Sequence, residues 1–143
     1  MASMSARSSP TPDAYSYVHG ERLPVEVLVF EVAPEDLDLF LELDHEIWTL
    51  KEAFGQGLER VPFLSKEVWL NDSRPGQVTI VFVWESMEAW DTVGSADFQQ
   101  KLQSEFDRRF DRPVRLVRAY HELADMGIHR YSRFERDEEP PLR

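Results

Sequence analysis

The chain has 143 residues, a formal net charge of −11, 42% hydrophobic and 12% aromatic residues, and no cysteine. That length suits one domain with a real core and polar ends, and the charge argues against nucleic acid or an anionic membrane surface as a partner. The missing cysteine removes disulfides, thiol nucleophiles and thiolate metal sites, and no apolar run reaches the roughly 18 residues that a membrane-crossing helix needs.

Residues 1–22 are rich in Ser, Pro and small polar side chains without periodicity, and read as a disordered lead. They contain no apolar secretory segment, so a cytoplasmic address is expected. Order is expected over 23–123, with 124–143 a polar and partly disordered tail. The run Val25–Val32 is a strand stopped by Pro34. Both of its alternating sets are apolar, Val25, Val27 and Val29 against Leu28, Phe30 and Val32, so it belongs in the middle of a sheet. A helix follows from about Glu35 to Phe54, with Glu35 and Asp36 at its positive end. Phe40, Leu43, Ile47, Leu50 and Phe54 form its core stripe. Leu37, Leu41 and Trp48 make a second ridge, with Asp44 between the two, and Gly55 and Gly57 end the helix.

Phe63–Leu70 is a strand with one mixed face, which suits an edge. Pro75-Gly76 then signals a hairpin into Val78–Glu85, apolar on both faces and again central. Ser86 caps the next helix, which is weakest at Val93-Gly94-Ser95, where Ser95 can cap a restart. Phe98, Leu102, Phe106 and Phe110 give the core face of the second piece, Pro113 ends it, and Val114–Glu122 is the last strand. The order β-α-β-β-α-β specifies an α+β, ferredoxin-like sandwich: an antiparallel four-stranded sheet with two helices on one face. The other face would leave several Val and Phe side chains in water, at roughly 1.5–3 kcal/mol each. A second copy packed face to face, making a homodimer, covers it most simply. A ligand or the folded-back chain ends are the alternatives.

The stretch Val83–Asp91 (VWESMEAWD), followed by Ser95–Phe98 (SADF), resembles the strand-to-helix junction of the antibiotic biosynthesis monooxygenase-like superfamily, the dimeric α+β barrel proteins. Residues Val25–Glu122 are similar to a whole domain of that group in element order. Asp44–Thr49, Phe63–Asn71 and Val83–Ser86 resemble, more closely, a small and mainly cyanobacterial family. The resemblance implies a dimeric barrel. It implies little about activity, because the superfamily mixes cofactor-free oxygenases, haem-degrading enzymes, isomerases or cyclases, stress proteins and members with no known activity. Many relatives carry His-x-x-Ser in the second helix, whereas Val93-Gly94-Ser95 stands here. The haem ligand or acid–base histidine of those relatives is therefore missing, and no cofactor is expected.

The four histidines, His19, His45, His121 and His129, have no metal-ligand spacing, so no metal is expected. His45 lies opposite the core stripe and reads first as solvated, and His121 as a surface or interface group. Asp44 could be a general base with a pKa raised by desolvation; pairing with Lys51 or Lys66, or a place at the edge, is the favoured reading. Trp84 and Trp90 are core. Trp48 and Trp69 could line a pocket for a flat apolar ligand, oriented by Glu67 or Asp44, or could anchor the dimer, which ranks higher. The leading functional reading is a small dimeric α+β barrel protein that binds a small hydrophobic ligand or a protein partner without demonstrable catalysis. The alternative is a cofactor-independent monooxygenase-like enzyme acting on an aromatic substrate through Trp48, Trp69 and Asp44. An enzyme needs an enclosed cavity holding a polar group with a perturbed pKa, whereas a structural dimer should have that space filled by side chains.

Overall fold

The computed structural model of the chain describes residues 14–120 and 127–138. These hold five strands, β1 (Tyr15–Val32), β2 (Phe63–Leu70), β3 (Gln77–Trp84), β4 (Val114–Tyr120) and β5 (His129–Arg136). Helices α1 (Leu37–Leu43) and α2 (Leu50–Phe54) are joined by a π-helical turn, Asp44–Thr49, and α3 (Met87–Val93) precedes α4 (Ala96–Arg109). The chain divides into two compact units, residues 23–129 and the two ends, 1–22 with 130–143.

In the larger unit the sheet runs β2-β3-β1-β4, with antiparallel pairing throughout. This is the ferredoxin-like order: the two strands apolar on both faces, β1 and β3, lie in the middle. Pro75-Gly76 makes the β2–β3 connection as expected. Gly76 has φ 102°, its carbonyl accepts from the Val32 N–H at 2.9 Å, and a Cβ there would stand 2.2 Å from the Val32 carbonyl oxygen. Only glycine meets both demands. Ser86 caps α3 through its side chain, which accepts from the Ala89 N–H at 3.0 Å. The chain breaks at Gly94 and α4 restarts after Ser95, whose side chain makes no capping bond.

The helix-facing side of the sheet packs against a core of aromatic rings. Phe40 stands at its centre, with ring centroids 5.6 Å from Phe30, 5.7 Å from Phe106 and 5.6 Å from Phe110. A second group joins Phe63, Phe82 and Trp84, and Trp90 stacks on Trp84 at 5.7 Å. On the opposite face Val27, Val29 and Val81 are only half-buried, and Trp69 is 54% exposed.

Three expectations need correction. The helical stripe does not run straight through Phe54: Phe40, Leu43 and Ile47 are buried, but Leu50 and Phe54 are exposed, while Glu52 and Ala53 turn inward. The cause is the wide turn, in which the Leu50 N–H donates to the His45 carbonyl five residues back. An i→i+5 turn takes up an extra residue and shifts everything after it on the helix face. Second, residues 15–22 are not a disordered lead but the leading part of β1, and 129–136 are a strand rather than part of a loose tail. The two pair with each other. The Asp137 N–H donates to the Ala14 carbonyl at 2.7 Å, Arg130 meets Glu21 at 3.1 Å, and Tyr15 stacks on Phe134 at 4.6 Å. Third, with β5 the sheet has five strands, not four. His121 and the end of the strand expected at Val114–Glu122 lie outside the described residues. Among the described residues no helix is long and apolar enough to cross a membrane.

Candidate functional site

Strand alternation places Leu28, Phe30 and Val32 of β1 toward the helices, and Glu26 shares their parity. Register then sets Glu26 opposite Phe82, and Phe82 opposite Lys66. The row Glu26–Phe82–Lys66 therefore crosses three strands on the face beneath the helices. Lys66 Nζ sits 5.1 Å from the centre of the Phe82 ring. Above the row, the wide turn brings Asp44 and Trp48 down, and its extra residue brings Glu52 into line behind them. Between the two layers lies a cavity of about 220 Å³. Its walls include Glu26, Asp44, Trp48, Glu52, Phe82 and Gln99.

The polar groups around it are tied together. Lys66 donates to Asp44 Oδ2 at 2.7 Å and to the Thr49 hydroxyl. Trp84 Nε1 donates to Glu26 Oε1 at 3.2 Å. Gln99 gives one amide hydrogen to Glu52 Oε2 and the other to the Val93 carbonyl, both at 3.0 Å, which fixes the Glu52 side chain from α4. Burial pushes the Glu26 carboxyl up to about 7, against smaller opposing effects of the Trp84 hydrogen bond and the Lys66 charge. Burial likewise raises Glu52 to about 7. The Gln99 hydrogen bond opposes this most, Glu26 and Asp44 add to it, and Lys66 opposes it. Two acids poised at neutrality in one aromatic-walled cavity can give and take protons there.

Of the residues that the sequence singles out, Asp44 and Trp48 line this cavity. His45, one place along the wide turn, is exposed. Trp69 and Glu67 do not join them. They stand opposite Thr79 and Val81, whereas the cavity is lined by Ile80 and Phe82, so the pleat puts them on the other face of the sheet. There Trp69 Nε1 donates to Glu67 Oε1 at 2.9 Å. The single pocket of Trp48, Trp69 and Glu67 is thus not formed. Glu26, Glu52 and Gln99 are the residues that sequence reasoning missed. A signal existed for Glu26: it is a charge on the Leu28–Phe30–Val32 face of an otherwise apolar strand. Among the described residues no group of three or more His, Cys, Asp or Glu side chains could hold a metal ion.

No family model and no curated protein matches the chain. Solved structures are similar to it in chain course. A conserved protein from Methanosarcina mazei Go1 is 19% identical, with 70% of this chain and 93% of that one covered and a TM-score of 0.45. A candidate antibiotic biosynthesis monooxygenase from Caulobacter crescentus CB15 is 11% identical, with 74% and 94% covered and a TM-score of 0.48. A dimeric ferredoxin-like protein from an uncultured marine organism is 12% identical, with 83% and 98% covered and a TM-score of 0.43. The ferredoxin-like fold itself rests on the strand order and register above.

Proposed function

We propose that the chain binds a small, compact ligand of one or two rings in the cavity between helices and sheet, and that it does so as a homodimer formed through the open sheet face. One observation carries the reading: Glu26 and Glu52, both poised near pH 7, meet in a cavity walled by Trp48, Phe82 and other aromatic side chains. Carboxyl groups held this way weaken a core that Leu or Met would fill more stably, so function is the better account of their presence. The volume is of the right order, since an apolar cavity of roughly 150 Å³ admits benzene. Trp48 supplies a flat wall and the carboxyl groups supply orientation.

The same carboxyl groups favour a second reading, cofactor-independent oxygenase-like action on an aromatic substrate. Glu26 or Glu52 would then be the general base that removes a proton from bound substrate, with Asp44 held by Lys66 as a positioning residue. Calorimetric titration with a panel of one- and two-ring compounds tests the binding reading. At least one should bind in the micromolar to millimolar range, with Trp48→Ala weakening it about tenfold. Absence of binding, or affinities unchanged in Trp48→Ala, would remove the cavity as the site. Oxygen uptake with the bound compound separates the two readings: turnover that rises through an inflection near pH 7 and is lost in Glu26→Gln or Glu52→Gln is the enzyme's signature.

A further inference from the structure

Among the described residues that line the cavity, three carry carboxyl groups and none is cationic. Glu26 from β1, Asp44 from the wide turn and Glu52 from α2 line it, while α4 adds only the neutral amides of Gln99 and Gln103. Lys66 from β2 is engaged by Asp44 and Thr49 and does not form part of the wall. Glu52 Oε2 accepts from Gln99, and no described residue hydrogen-bonds its Oε1, which leaves an acceptor for a ligand N–H. The remaining wall is largely aromatic, and the faces of Trp and Phe attract cations. An anionic ligand would meet three carboxyl groups. A metal ion would need a convergence of ligands that the described residues do not provide.

We propose that the cavity takes a small organic cation, a one-ring molecule bearing an ammonium or amidinium group. Its ring lies among Trp48, Phe82 and Phe106, and its charge on Glu52 and Glu26. The inference rests on the binding reading above and names the ligand class for that same site. The cation replaces the protons that the two glutamates otherwise hold, so its binding releases protons at neutral pH. A ligand of this kind is bound by charge-assisted hydrogen bonds, which discriminate strongly against a neutral compound of the same shape.

Matched pairs test it on the whole chain: benzamidine against benzamide, and benzylamine against benzyl alcohol, by calorimetry at about pH 8. The cation of each pair should bind at least about tenfold more tightly, and Glu52→Gln should reduce that preference severalfold. Near pH 7 the measured heat should vary with the ionisation enthalpy of the buffer, in the sense of proton release. A neutral compound that binds as tightly as its cationic partner overturns the cation proposal and leaves the cavity reading standing. If no member of either pair binds at millimolar concentration, the cavity reading falls and the cation proposal with it. The comparison on the unaltered chain decides the matter even if Glu52→Gln fails to fold.

Discussion

Lys66 Nζ lies 2.7 Å from Asp44 Oδ2, and the two side chains are only 5% and 7% exposed. Buried pairs of this kind are fragile in one particular way. Removing one partner strands the other's charge, which costs about 3–5 kcal/mol, whereas replacing both with apolar groups is close to neutral. Here Lys66 also lowers the pKa of both Glu26 and Glu52 through its charge. Lys66→Met should therefore destabilise the chain by about 3–5 kcal/mol in urea unfolding at neutral pH. Adding Asp44→Leu to that variant should recover most of the loss. Equal stability of wild type and Lys66→Met would mean that the pair is not buried as described.

Stability should also fall as the pH is raised. A glutamate whose folded pKa of about 7 exceeds its unfolded value binds its proton more readily in the folded state. Its contribution is complete below about pH 4.3, the ordinary glutamate value, and is lost as pH rises through about 7. Among the described residues, Lys66 acts on both glutamates by its charge, and Asp44 and Glu26 act on Glu52. For Glu52, the loss across that window is on the order of 3 kcal/mol, since each tenfold change in proton affinity is worth about 1.4 kcal/mol. Glu52→Gln cannot ionise, so it should match wild type near pH 5 and exceed it in unfolding free energy near pH 8. A pH-independent difference between the two proteins would overturn the assignment.

Much of the fold is legible in the sequence because its signals are local. Ser86 announces a helix start, Gly94 a break and Pro75-Gly76 a turn, and the two-faced strands around Val29 and Val81 announce the middle of the sheet. The site is only half legible, and the reasons are physical. Asp44 and Trp48 are marked by the apolar ridges of the helix, Asp44 between the two and Trp48 on one of them. Glu52 follows the turn, and nothing in a 3.6-residue period marks where an extra residue is taken up. Glu26 becomes a site residue only when register places it in one row with Phe82 and Lys66. Trp69 and Glu67 fall on the far side from Trp48 because strand alternation says which residues share a face but not which face meets the helices. The strand at 15–22 is hidden for a similar reason: its partner, β5, lies more than 100 residues away.

The wide turn has its own consequence for mutation. In an unbroken helix Leu50 and Phe54 would lie in the core, and truncating either would cost about 2–5 kcal/mol. In this structure they are 39% and 67% exposed, whereas Ile47, within the turn, is fully buried. Leu50→Ala and Phe54→Ala should each lie within about 0.5 kcal/mol of wild type, apart from the small helix preference for alanine. Ile47→Ala should lose about 2–5 kcal/mol. Urea unfolding of the three variants checks the ordering. A large loss in Phe54→Ala with none in Ile47→Ala would show that the turn is regular in solution.

The open face of the sheet carries the last expectation. Val27, Val29 and Val81 are half-buried on it, and Trp69 is more than half exposed beside Glu67. Central strands with apolar residues on both faces are costly to leave wet, and a second copy offers the same surface in return through a two-fold axis. Light scattering at micromolar concentration should give twice the chain mass. Val81→Arg puts a charge at the middle of that face and should yield a folded monomer, since Val81 points away from the helix-side core. Trp69→Ala should weaken the dimer by about 2 kcal/mol if Trp69 is an anchor. A monomeric wild type would retire the homodimer, while a dimer untouched by Val81→Arg would move its interface elsewhere. The cavity lies on the other side of the sheet, so Val81→Arg should still bind the cavity's ligand with an affinity within a few fold of wild type.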